Sequence, residues 1–170
     1  MSYGLSGADA GLFNIGSSSG LVTFKIPPNF ELPADNGGNN VYDFTVEATD
    51  GAGNISRKAV ALTVTDVNEA PTLASPLADQ IFVVGGAIDT CVIAQNAFVD
   101  VDAGTTLTYS ATLADGSPLP SWLTFNAATR TFSGNPTANG TFTIRVTASD
   151  GKLSASDDFV ITAVTAPVVQ

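Results

Sequence analysis

One segment of this chain occurs twice. Tyr42-Asp43-Phe44-Thr45-Val46-Glu47-Ala48-Thr49-Asp50-Gly51 is matched, at an offset of 100 residues, by Phe142-Thr143-Ile144-Arg145-Val146-Thr147-Ala148-Ser149-Asp150-Gly151. In each copy every second residue is apolar: Tyr42, Phe44, Val46 and Ala48 in the first, Phe142, Ile144, Val146 and Ala148 in the second. That period of two belongs to a strand with one buried face. Each copy ends in Asp-Gly, a turn signal, and a second alternating run comes after it: Val60-Leu62-Val64, then Phe159-Ile161-Ala163. Two copies of one closing hairpin imply two β-domains in tandem.

The spacing also exposes a deficit. About 70 residues separate Pro71 from the second hairpin, but only 41 precede Tyr42. The counterpart of residues 72 to about 100, with expected strands at Ile81–Val84 and Cys91–Ala94, is therefore missing from the first copy. A first domain lacking its N-terminal strands exposes an edge and part of its core. Either the chain is a fragment or a neighbour supplies the strand. The expected division is residues 1–71, residues 72–165 and a tail at 166–170.

Nothing in the chain reads as helix. Lys, Glu, Arg and Met are few, no helical period of useful length occurs, and turn signals such as Asn135-Pro136 and Asn139-Gly140 separate short apolar alternations. A third alternation, Leu107, Tyr109 and Ala111, adds a strand, and Trp122, Leu123 and Phe125 form the expected apolar centre of the second domain. The architecture implied is all-β, two tandem Ig-like Greek-key sandwiches. Hydrophobic residues make up 44%, yet no apolar run nears the roughly 20 residues of a bilayer-spanning helix.

A formal charge of −10 argues against nucleic acid, whose phosphates select Lys and Arg. The acidity fits partial neutralisation by bound cations; the alternative is that it keeps a β-protein soluble. Cys91, the single cysteine, sits in the apolar run Cys91-Val92-Ile93-Ala94 and reads as a small core residue, and the chain has no His. Met1-Ser2-Tyr3-Gly4 lacks the basic and apolar regions of a signal peptide, so a secretion signal is expected elsewhere in a longer parent chain.

The acids fall in a pattern. Asp66-Val67-Asn68-Glu69-Ala70-Pro71 joins the domains, and Asp100-Val101-Asp102 lies in the second. Ca²⁺ takes roughly six to eight oxygen ligands at about 2.3–2.6 Å, so its carboxylates must converge from several segments. An EF-hand loop starting at Asp100 fails, with Thr105 where its glycine belongs and Ala111 where its glutamate belongs.

Several of these stretches resemble known families. Residues 1–71 resemble the later part of a bacterial cadherin repeat: Leu5-Ser6-Gly7-Ala8-Asp9-Ala10-Gly11-Leu12-Phe13 is similar to its mid-domain loop, Ser19-Gly20-Leu21-Val22-Thr23-Phe24 to its T-G-x-I-x-F strand, and Val46-Glu47-Ala48-Thr49-Asp50 to its V-x-A-x-D strand end. Asn29-Phe30-Glu31 stands where cadherins carry Asp-x-Glu, and residues 66–71 resemble the D-x-N-D-N-P linker. Residues 72–164 resemble the dystroglycan-type cadherin-like (Ig-like) module of bacterial surface proteins. The specific part runs from Pro120-Ser121-Trp122-Leu123-Thr124-Phe125-Asn126 to Thr131-Phe132-Ser133-Gly134-Asn135-Pro136.

The resemblance implies a calcium joint. Its ligands would be Glu31, Asp66, Glu69 and the backbone carbonyl of Asn68, together with Asp100, Asp102 and Asp150, holding two or three Ca²⁺. Asn29, Glu69 and Ala70 depart from the usual residues and imply lower affinity than in vertebrate relatives. Asp50 matches Asp150 but would serve an upstream junction, and it reads, like Asp157-Asp158, as a turn or surface acid. Thr165-Ala166-Pro167 keeps only the Ala-Pro of the linker, so no calcium joint is expected after the second domain.

The function implied is that of a calcium-rigidified, extracellular module of a bacterial surface or secreted adhesin, with neighbouring repeats and a cell-surface protein or polysaccharide as partners. Homophilic pairing in vertebrate cadherins depends on an N-terminal first domain, and that mechanism is not carried over. A carbohydrate-binding accessory module is the alternative, but such a site needs exposed aromatics; Trp122 reads as core, and Tyr3, Tyr42 and Tyr109 lie in or near strands. A two-carboxylate glycosidase is a third class, without His or a serine motif to support it, and no enzymatic activity is expected.

Overall fold

The computed structural model describes residues 1–87 and 91–166; the expected tail, from 167 onward, lies outside the described residues. The chain is all-β apart from a 3-10 turn at Ala10–Leu12. It divides into two compact units, Met1–Val67 and Asn68–Gln170.

The first unit contains β1 (Ser2–Ser6), β2 (Phe13–Ile15), β3 (Val22–Phe24), β4 (Val41–Thr49) and β5 (Ile55–Thr63). One sheet has the order β1-β4-β5, and β2 pairs with β3. The buried apolar residues are Phe13, Tyr42 and Phe44. Phe13 lies 4.5 Å from both Phe24 and Phe44, and Tyr42 meets Phe24 edge-on at 5.2 Å. Such tilted and T-shaped contacts suit ring quadrupoles.

Two buried aspartates shape the loop before β4. Asp9 accepts hydrogen bonds from the N–H of Asn36 at 2.7 Å and of Asp43 at 2.6 Å. Asp35 accepts from the N–H groups of Gly37, Asn39 and Asn40. Burial pushes the Asp35 carboxyl up, but those three donors outweigh it and leave it below the usual range. Asn40 turns the chain at φ 62°, a left-handed conformation that asparagine tolerates, and its Nδ2 donates to the Phe30 carbonyl at 2.8 Å. This network holds the segment that carries Glu31.

The second unit contains β6 (Thr72–Leu73), β7 (Gln80–Val83), β8 (Cys91–Val92), β9 (Phe98–Val99), β10 (Thr108–Leu113), β11 (Leu123–Asn126), β12 (Thr131–Gly134), β13 (Gly140–Ser149) and β14 (Ser154–Val164). Its main sheet has the order β10-β13-β14-β7, its second β11-β12-β8, and β6 pairs with β9. The core contains Cys91, Ile93, Phe98, Leu123, Phe132, Ile144, Val146, Phe159 and Ile161. Phe132 packs on Phe125 at 4.5 Å and on Phe159 at 5.6 Å. Cys91 is buried as expected, and that burial pushes its thiol pKa up. Of the expected apolar centre only Leu123 is buried. Trp122 and Phe125 are partly buried, and Trp122 meets Phe142 at 5.3 Å.

The two units repeat one another from β10 onward. Tyr3 pairs with Ala48 where Tyr109 pairs with Ala148, and the β4–β5 and β13–β14 hairpins have the same antiparallel form. Strands β6 to β9 have no counterpart among the described residues of the first unit. The outer edge of β14 is covered by β7, parallel, with Ile161 opposite Gln80 and Val164 opposite Val83. The outer edge of β5 pairs with no strand among the described residues.

Candidate metal centre

At one end of the second unit, three segments deliver carboxylates to one place. Asp150 begins the tight turn between β13 and β14. Its Oδ1 accepts the N–H of Lys152 at 2.6 Å and of Leu153 at 2.7 Å, and its Oδ2 accepts from Asn68 Nδ2 at 2.8 Å. The Leu153 and Lys152 N–H groups, then the Asn68 amide, hold the Asp150 carboxyl below the usual aspartate range. Such donors stabilise the charged form, so Asp150 presents an anion across the ordinary pH range.

Asp100 comes directly after β9. Its Oδ1 accepts the N–H of Asp102 at 2.9 Å, and the Thr105 N–H closes the turn onto the Asp102 carbonyl at 3.2 Å. Gly104 makes this turn possible at φ +84°, a region costly for a residue with a Cβ. The Glu69 N–H donates to Asp102 Oδ2 at 3.1 Å, which ties the start of the unit to the Asp-x-Asp loop.

One carboxylate oxygen from each of Asp100, Asp102 and Asp150 lies within 4.8 Å of the others. Asp100 Oδ2 and Asp102 Oδ1 are shielded from solvent and have no hydrogen-bond partner. Carboxylates so close repel, and shielded oxygens without a donor forfeit their hydration. A hard divalent cation relieves both penalties, because it takes oxygen ligands and neutralises the charge. The donor set fits calcium.

Five of the seven expected ligand residues, Asn68, Glu69, Asp100, Asp102 and Asp150, stand in the second unit. The Asn68 side chain has a role beyond the expected carbonyl: its amide donates to Asp150 and, at 3.0 Å, to the Glu69 carbonyl, and so orients neighbours. No sequence pattern signals this, since a linker asparagine reads equally as a turn former. In the first unit Glu31 and Asp66 place carboxylate oxygens within 4.8 Å of each other. The acids read as non-ligands have protein partners. Asp50 accepts from Ala52 and Asn54, Asp157 accepts the Leu77 N–H at 2.8 Å, and Asp158 pairs with Arg145 at 2.8 Å.

Sheets paired in this order define an Ig-like, cadherin-like β-sandwich fold. The chain belongs to the Putative Ig domain family, which matches residues 70–164. Among solved structures, mouse cadherin-23 EC22–24 is 19% identical, with 97% of this chain and 53% of that one covered and a TM-score of 0.58. Human protocadherin-24 EC1–2 is 17% identical, with 98% and 82% covered and a TM-score of 0.56. An endo-fucoidan hydrolase of glycoside hydrolase family 107 is 22% identical, with 96% and 23% covered and a TM-score of 0.45. The chain thus spans about half of the cadherin-23 fragment and about a quarter of the hydrolase. At these identities the likeness to the two cadherin fragments is one of fold. Among curated protein sequences no relative is detected. No helix among the described residues is long and apolar enough to cross a membrane.

Proposed function

We propose that this chain is a calcium-binding, extracellular β-sandwich module of a bacterial surface or secreted adhesin, and that it performs no catalysis. The observation that carries the reading is the Asp100–Asp102–Asp150 cluster with two shielded, unpartnered oxygens. Calcium bound there draws the Asp-x-Asp loop, the β13–β14 turn and residues 68–69 into one rigid end. Glu31 and Asp66, acidic and paired in the first unit, are the further ligands, so ion binding stiffens the joint on which a rod-like adhesin depends. Neighbouring repeats, and a surface protein or polysaccharide, are its partners.

A ligand bound only by the folded state stabilises it by RT ln(1 + [L]/Kd), about 2.7 kcal/mol at a hundredfold excess over Kd. The test is a calorimetric calcium titration of the chelator-stripped chain, with parallel thermal melts. Binding should raise the melting temperature of the second unit by on the order of 10 °C at that excess. Asp102→Ala should abolish the rise. Identical melts in calcium and chelator would overturn the reading.

A further inference from the structure

We propose that a cleft beside Arg130 in the second unit binds an acidic saccharide, a sugar carrying a carboxylate or a sulfate ester. The cleft has a volume of about 390 Å³, and its polar walls are Gln95, Asp100, Thr105, Thr106, Tyr109 and Arg130. Arg130 ends the connection from β11 to β12 at φ +55°, in the left-handed region that glycine adopts freely and a side chain with a Cβ adopts at a cost. Strain of this kind persists where surrounding structure enforces it, and it clusters at ligand clamps. The side chain gains a place over the Tyr109 ring, with its guanidinium carbon 5.7 Å from the centroid.

That placement leaves the guanidinium without an acid. Arg130 Nε is shielded from solvent and has no hydrogen-bond partner. Among the described residues the ion pairs are Arg57–Glu47 and Arg145–Asp158, and Arg130 belongs to neither. A guanidinium with no acid partner is complementary to an oxyanion, which its outer N–H groups can engage through two parallel hydrogen bonds. The surroundings narrow the class of anion. Asp100 on the same wall repels a compact, doubly charged ion. It accommodates a singly charged group on a larger body that carries hydroxyls. Thr105, Thr106 and Gln95 offer donors and acceptors to such hydroxyls. The cation of this site is Arg130, so the inference does not rest on calcium.

The test uses the whole chain in chelator and again in calcium. It is titrated with tetragalacturonate, a κ-carrageenan tetrasaccharide, neutral galactotetraose and a Glu-rich peptide, and monitored by calorimetry and backbone amide shifts. One of the acidic sugars should bind, shift the amides of Thr105, Thr106 and Tyr109, and outcompete the neutral sugar by at least tenfold. The first two probes separate the carboxylate source from the sulfate source. Arg130→Gly relieves the left-handed backbone, so it should keep the fold and its thermal melt while losing at least tenfold in affinity. Arg130→Lys keeps the charge but not the fork and should lose less. Failure of both acidic sugars to bind, equal binding by Arg130→Gly, equal binding of the neutral sugar, or tighter binding of the peptide would each overturn the proposal. Loss of binding to Arg130→Gly in chelator supports it whatever calcium does, so the two readings fail separately.

Discussion

The hairpins β4–β5 and β13–β14 share one sequence pattern and meet different fates. Ile161, opposite Phe142, is 0% exposed, whereas Leu62, opposite Tyr42, is 37% exposed. The strand-forming alternation is the same. What differs is the company: β14 has β7 along its outer edge and a second sheet of three strands in its unit, while β5 ends a three-strand sheet whose unit adds, among the described residues, the two-stranded β2–β3 sheet. Apolar patterning makes a strand, but burial, which stabilises by roughly 25 cal/mol per Å² of apolar surface, needs something to pack against. The comparison also applies to acids. Asp50 and Asp150 both cap their hairpin turns, but only Asp150 also reaches a partner distant in sequence, Asn68.

The strongest way to break the comparison is to truncate the matched pair. Ile161→Ala should cost about 2–5 kcal/mol, the usual range for a buried aliphatic, whereas Leu62→Ala should cost roughly 1 kcal/mol or less. Guanidinium unfolding reads the second unit through Trp122, the single tryptophan, and amide resonances report the first. Equal losses would mean that β5 is covered in solution.

A smaller effect sharpens the contrast between the short ladders. In β2–β3, Phe13 pairs with Phe24; in β11–β12, Leu123 pairs with Gly134, where a Cβ would run into the Trp122 carbonyl oxygen. Gly134→Ala should therefore destabilise the second unit by about 1–3 kcal/mol, the range for overpacking, with a lowered Trp122 melt as the readout. An unchanged melt would show that the turn can shift.

The smallest effect concerns charge. Hydrogen bonds hold both Asp50 and Asp150 below the usual carboxylate range, Asp50 chiefly through the Asn54 side chain and backbone, Asp150 through Leu153 and Lys152. A depressed folded-state pKa contributes stability above the unfolded value near 3.9, and that contribution is lost as pH falls through the folded value. Carboxyl carbon shifts in a pH titration should place both midpoints low. Calcium should lower the Asp150 midpoint further and leave Asp50 unmoved. A calcium response at Asp50 would erase the distinction between the two turns.

Much of this protein was legible without coordinates. Period-two alternation ending in Asp-Gly placed both hairpins, because strand geometry fixes which side chains share a face. The scarcity of helix formers set the all-β class, and the resemblance to cadherin-like repeats singled out Asp100, Asp102 and Asp150, whose carboxylates the fold brings together. Strand bounds moved by only a few residues, with β8 shorter than expected at Cys91–Val92. Tertiary structure alone decided the rest. It placed Trp122 at the margin of the core and left Leu62 exposed, because burial depends on neighbours far away in sequence. It turned the Asn68 side chain toward Asp150 and left two aspartate oxygens without donors. It also set Arg130 over Tyr109 in a left-handed turn. Local sequence governs backbone preference through short-range sterics; which polar atoms go unpaired, and which apolar faces go uncovered, is settled only when distant segments meet.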